Sequence, residues 1–119
     1  MPDGRKTSSL LVFFLVLSIS NPPFAQPPID IRITADEFLF TPAQIQVHQG
    51  KYKITVTNEG GFPHGLAIVG RTERIKYIEP NDTKSLIVKF DRAGSYTFFC
   101  PQPGHRGKGM EGILKVEKK

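Results

Sequence analysis

From residue 29 onward the chain reads as a succession of short strands. Ile29, Ile31 and Ile33 alternate with Asp30, Arg32 and Thr34, the period of two that turns one face of a half-buried strand inward. Phe38 and Phe40 continue an apolar face, Pro42 interrupts it, and Ile45 with Val47 resume it before a turn at His48-Gln49-Gly50. Tyr52, Ile54 and Val56 then alternate with Lys53, Thr55 and Thr57, and Asn58-Glu59-Gly60-Gly61 forms a loop with His64 just beyond it. Leu66, Ile68 and Val69 give a short apolar stretch. The charged connection from Arg71 to Asp82 shows no clear period and is assigned a turn or a brief helix. Leu86, Val88 and Phe90 share one side of the next segment, and Asp91-Arg92-Ala93-Gly94 turns it into a hairpin. In the strand that follows, Tyr96, Phe98 and Cys100 share a face and Thr97 and Phe99 the other, so the thiol points toward the core. Leu114 and Val116 close the last strand.

About seven or eight strands with no internal repeat predict an all-β fold, an antiparallel Greek-key sandwich or barrel. Ten Pro and eleven Gly in 119 residues agree with short strands and many turns. The length fits one domain, placed at residues 26–119. Residues 1–25 carry an export pattern: Arg5 and Lys6, an apolar run from Leu10 to Ile19, then Asn21-Pro22-Pro23. That run is half the roughly 20 residues a membrane span needs, which favours a cleaved signal over an anchor. Cleavage after Ala25 competes with cleavage after Ser20. No Arg-Arg pair marks export of a folded protein, so the chain crosses unfolded and metal would load outside the cytoplasm.

The net charge of +5 falls to +4 without the first 25 residues, and no basic run exceeds Lys118-Lys119. This offers no nucleic-acid stripe but suits an acidic protein partner. Cys100 is the sole cysteine, so no internal disulfide protects it in an oxidising compartment, and another role is expected for the thiol.

That role comes from its neighbours. In Cys100-Pro-Gln-Pro-Gly-His105-Arg-Gly-Lys-Gly-Met110, a thiol, an imidazole and a thioether are each separated by four residues on a loop between two strands. Pro and Gly let such a loop turn compactly around one point, and His64 can supply a fourth donor from an upstream strand end. Thiolate, two imidazoles and a weak axial thioether suit blue copper. Zinc has no use for Met110, and an iron–sulfur cluster needs several thiolates. Taken singly, each residue has a plainer role: buried Cys as a small hydrophobe, Met as core filler, His64 as a loop cap. A Cys100–His105 nucleophile and base would need an orienting group and an oxyanion site, and neither is indicated. His48 is expected on the surface, Phe98 and Phe99 in the core, and Arg106 and Lys108 either solvated or steering an acidic partner.

From about Ile29 to Val116 the chain resembles the cupredoxins, the small blue copper family of plastocyanin, azurin, auracyanin and rusticyanin. The stretch FTPAQIQVHQGKYKITVTNEGGFPHGLAIVG is similar to the family's early strands ending in the first ligand, and YTFFCPQPGHRGKGMEGILKV to its ligand loop. The four-residue gaps resemble the longer-loop members. The resemblance implies one type 1 copper ion held by His64, Cys100, His105 and Met110, with the His105 ring edge as electron port. It implies an electron carrier, not an enzyme, working in the periplasm or another extracytoplasmic space. The partner implied is a redox protein such as a cytochrome or a terminal oxidase or reductase, with membrane association only if the signal is retained. A copper carrier or buffer using the same ligands is the alternative. Many members have Asn or Ser after the first His to tie the ligand segments together, whereas this chain has Gly65, which implies different tuning of the site. The run His64-Gly-Leu-Ala-Ile resembles dinuclear oxidase-type copper domains, but a single Cys keeps this chain mononuclear.

Overall fold

The computed structural model describes residues 26–119, and the expected export segment, residues 1–25, lies outside the described residues. Within them the chain forms nine strands: β1 (Ile29–Asp36), β2 (Leu39–Thr41), β3 (Gln44–His48), β4 (Gly50–Asn58), β5 (His64–Ile68), β6 (Arg74–Ile78), β7 (Thr83–Phe90), β8 (Gly94–Phe99) and β9 (Glu111–Glu117). Two sheets, in the orders β2-β1-β4-β7 and β3-β9-β8-β5-β6, make the all-β sandwich that the alternation predicts. Ile31, Ile33, Ile54, Val56, Val88 and Phe90 from one sheet meet Leu66, Ile68, Phe98, Leu114 and Val116 from the other in a single buried cluster. Removing such side chains from water stabilises the fold by about 1.5–3 kcal/mol each.

Two features depart from the expectation. The charged connection holds a strand, β6, with Ile75 and Ile78 buried. Its pairing with β5 shifts between His64 and Leu66, matching His64 to Ile78 but Leu66 to Ile75. The irregularity spaces the two inward residues three apart, so a search for period two passes over the strand. The sheets are also mixed, because β1 pairs with β4 and β3 with β9 in parallel.

Register brings distant segments to one end of the sandwich. β5 runs antiparallel to β8, with Ala67 opposite Phe99 and Ile68 opposite Phe98, so the start of β5 lies beside the end of β8. β9 runs antiparallel to β8 and begins with Glu111 opposite Phe99, at that same end. The parallel β1–β4 pair sets Ala35 opposite Asn58, which delivers the β1–β2 turn and the loop before β5 together. His64, Cys100 and Met110 are thereby neighbours although they sit far apart in the chain.

Asn58 locks this end. It is fully buried, its Nδ2 donates to the carbonyls of Phe62 (2.8 Å) and Ile78 (2.9 Å), and its Oδ1 accepts the Gly60 N–H at 2.8 Å. The amide thus fastens the loop leading to His64 onto the end of β6. Replacing Asn58 by Ala leaves buried carbonyls without donors, and the expected loss is about 3 kcal/mol. The check is a lower denaturant midpoint at an unchanged m-value.

Candidate metal centre

Three of the sequence-predicted donors converge. His64 Nδ1 lies 3.2 Å from His105 Nδ1, and Cys100 Sγ lies 3.5 Å from His105 Nδ1 and 3.9 Å from His64 Nδ1. Ligand bonds of about 2.0–2.3 Å to a first-row metal imply donors roughly 3.3–3.8 Å apart, close to these separations. His64 and Cys100 are fully buried and His105 is half-buried, so the cluster is closed toward the core and approaches the surface only at His105.

The loop from Cys100 to Met110 is built to hold this shape. The Cys100 N–H donates to the Met110 carbonyl at 3.1 Å, and the Met110 N–H to the His105 carbonyl at 3.2 Å. A 3-10 turn at Arg106–Lys108 lies between them, and Gly109, at φ 97°, ends it in a conformation that side chains avoid. Met110, the fourth predicted donor, is fully buried in the core cluster at the loop's return. The loop is tied to its surroundings on both flanks. Gln102 Nε2 donates to the Lys76 carbonyl at 2.7 Å, while Arg106 pairs with Glu111 at 3.2 Å and lies 4.3 Å from the centre of the Phe99 ring. Arg106 is therefore a structural contact as well as a surface charge, and Lys108 lies 5.3 Å over Phe38. His48 is exposed and remote from the donors; Phe98 is core, packed 5.3 Å from Phe40, whereas Phe99, expected there too, is half-buried under Arg106 because it faces the other side of β8.

Electrostatics speak against a nucleophilic thiol. Burial pushes the Cys100 thiol above its ordinary value, while the backbone N–H groups of Gln102 and Gly65, directed at the sulfur, pull the other way. A catalytic cysteine would be shifted down. The His105 imidazole is held below the ordinary histidine value, first by burial and then by the nearby His64. Gly65 thus reaches the thiol through its backbone. A Cβ there would overlap the Ile75 carbonyl oxygen and come within 2.7 Å of that of Lys76, which explains why no Asn or Ser stands at this position.

Glu37 was not legible in the sequence. Its Oε2 lies 2.6 Å from His64 Nε2, the nitrogen turned away from the cluster. The Gly61 N–H and then His64 hold its carboxyl below the usual carboxylate range. A carboxylate only accepts hydrogen bonds, so Glu37 can pair only with an Nε2 that carries a proton. Two imidazole nitrogens, a thiol sulfur and a buried thioether residue form a soft, water-excluding set that fits copper.

The chain matches the family model of the cupredoxin-like domain over residues 8–112. It is 32% identical over 93 residues to plastocyanin of Ginkgo biloba, covering 67% of this chain and 89% of that protein. Among solved structures it is similar to auracyanin A, a "blue" copper protein of Chloroflexus aurantiacus, at a TM-score of 0.68 and 19% identity over 76% of this chain and 100% of the other. It is also similar to the copper nitrite reductase of Nitrosomonas europaea, at a TM-score of 0.65 and 20% identity over 78% of this chain but 42% of the reductase. These structural likenesses are likenesses of fold.

Two outcomes are expected. Gly65→Ser forces a side chain against the β6 backbone and should destabilise the protein by about 1–3 kcal/mol, read from thermal or denaturant unfolding. Metal loading must displace the proton that the raised Cys100 value retains, so affinity rises with pH. Chelator competition should give about tenfold tighter binding per unit between about pH 7 and 8, and a steeper dependence at lower pH where His105 also takes up a proton.

Proposed function

The chain belongs to the cupredoxin-like family, and from that premise we propose that it is a blue copper protein that carries single electrons, with His64, Cys100, His105 and Met110 as ligands. The observation that carries the reading is the convergence of two Nδ1 atoms and Sγ at a closed, buried point. Copper bound there supplies a one-electron Cu(II)/Cu(I) couple.

The chain's own residues do the rest. Cys100 provides the anionic sulfur, and burial of Cys100, His64 and Met110 keeps water and small substrates from the centre. An enzyme needs an open coordination position, and a buried Met110 serving as the fourth donor works against one. This chain also matches less than half the length of the nitrite reductase that shares its fold. The ties from Gln102 and Arg106 hold the ligand loop, which supports electron cycling over release of the ion to an acceptor.

His105 is the natural port. The Phe38 ring meets it edge-on at 4.9 Å, Phe62 stacks on Phe38 at 6.4 Å, and Phe62 is 55% exposed. An apolar rim around the half-buried imidazole suits a short-lived protein contact, and Arg106 and Lys108 beside it favour an acidic redox partner, a cytochrome or a terminal oxidase or reductase. Residues 1–25 act as the export signal, placing the protein in the periplasm or an equivalent space.

The test is the visible and electron paramagnetic resonance spectrum of residues 26–119 with one equivalent of Cu(II). We expect an intense thiolate band that bleaches with ascorbate and returns on reoxidation, and that is lost in Cys100→Ser. A band that survives in Cys100→Ser would remove the thiolate from the site, and a colourless wild-type product would overturn the reading.

A further inference from the structure

Glu37 is a charged side chain that touches the donor cluster without belonging to it. It sits in the turn between β1 and β2, where its own N–H donates to Asp36 Oδ1 at 2.8 Å and the Glu59 N–H donates to the Ala35 carbonyl at 2.8 Å. Its Oε1 accepts the Gly61 N–H at 2.7 Å, and its Oε2 faces His64 Nε2 at 2.6 Å. A Cβ on Gly60 would overlap the carboxylate. The Gly60-Gly61 pair thus forms a recess cut to this group. The His64 side chain is fully buried and that of Glu37 is 25% exposed, so the carboxylate reaches from the rim to an imidazole that water does not.

We propose that Glu37 is a positioning residue that fixes His64 with its proton on Nε2 and its Nδ1 lone pair at the metal, and that its negative charge lowers the copper reduction potential. The proposal rests on the copper reading above. The first half follows from hydrogen-bond chemistry: a carboxylate only accepts, so Nε2 must carry the proton, and the ring cannot turn over without breaking the bond. The second half follows from charge. A neutral acceptor such as a backbone carbonyl could orient the ring equally well. A carboxylate adds a full negative charge, makes the imidazole a stronger donor and favours Cu(II), the more highly charged state. The contact is charge-assisted, and the buried imidazole leaves little solvent between the charge and the cluster.

Glu37→Gln removes the charge and leaves Nε2 with an acceptor, the amide oxygen standing in for Oε2, while the Gly61 N–H that Oε1 accepted loses its partner. Copper stoichiometry and the thiolate band should persist, while the balance shifts toward Cu(I) by about tenfold, a rise of about 59 mV for a one-electron couple. In the wild-type protein reduced to diamagnetic Cu(I), nitrogen-15 magnetic resonance should show His64 protonated at Nε2, with slow solvent exchange. That measurement needs no variant to fold. Glu37→Ala should speed the exchange. An unchanged or lowered potential in Glu37→Gln, or a His64 ring protonated at Nδ1, would overturn the proposal while a blue wild-type spectrum leaves the copper reading standing. A wild-type protein with no thiolate band would instead overturn the copper reading and the proposal with it.

Discussion

An imidazole with no solvent exposure is the constraint around which this end of the molecule is organised. A buried polar ring is tolerated only if both nitrogens have partners. His64 meets that condition by turning Nε2 to Glu37 and Nδ1 to His105 and Cys100. Neither partner is local in sequence. The ring can be buried only if the β1–β2 turn and the loop after β8 both arrive at the start of β5, and the parallel β1–β4 register and the antiparallel β5–β8 register provide that. Asn58 holds the intervening loop, and Gly65 lets β6 pass close enough to seal the ring.

The same demand explains why the ligand loop is stiff. A site that serves two oxidation states works best when its donors keep their places, and here the places are set by the protein. Main-chain bonds close the loop between Cys100, His105 and Met110, and side-chain ties from Gln102 and Arg106 anchor it to β6 and β9. These bonds run between protein groups alone, so the loop's shape is held by the chain's own donors and acceptors.

Much of this was legible in the sequence because it obeys local rules. Alternation in β1, β4, β7 and β8 revealed the sandwich, and one loop carrying Cys100, His105 and Met110 revealed most of the donor set. What escaped depends on non-local geometry. β6 escaped because its irregular pairing puts Ile75 and Ile78 out of period, and the parallel pairs escaped because alternation carries no direction. Glu37 had no signal at all, since an acidic residue beside a turn reads as solvated. Gly65 was read as a missing side-chain tie, whereas the passing β6 backbone occupies the space and the Gly65 N–H still reaches the sulfur.

The division of labour between the two histidines follows from where the fold leaves them. His64 is sealed on all sides and bonded to a charge, so its contribution to the centre can be set by the protein alone. His105 is half-buried and lies edge-on to Phe38, and among the described residues no carboxylate hydrogen-bonds to it. Beside it the surface is formed by Phe38 and the exposed Phe62, with the Lys108 ammonium over the Phe38 ring. The two cations of the ligand loop, Arg106 over Phe99 and Lys108 over Phe38, flank the exposed side of this imidazole and leave the sealed side to Glu37.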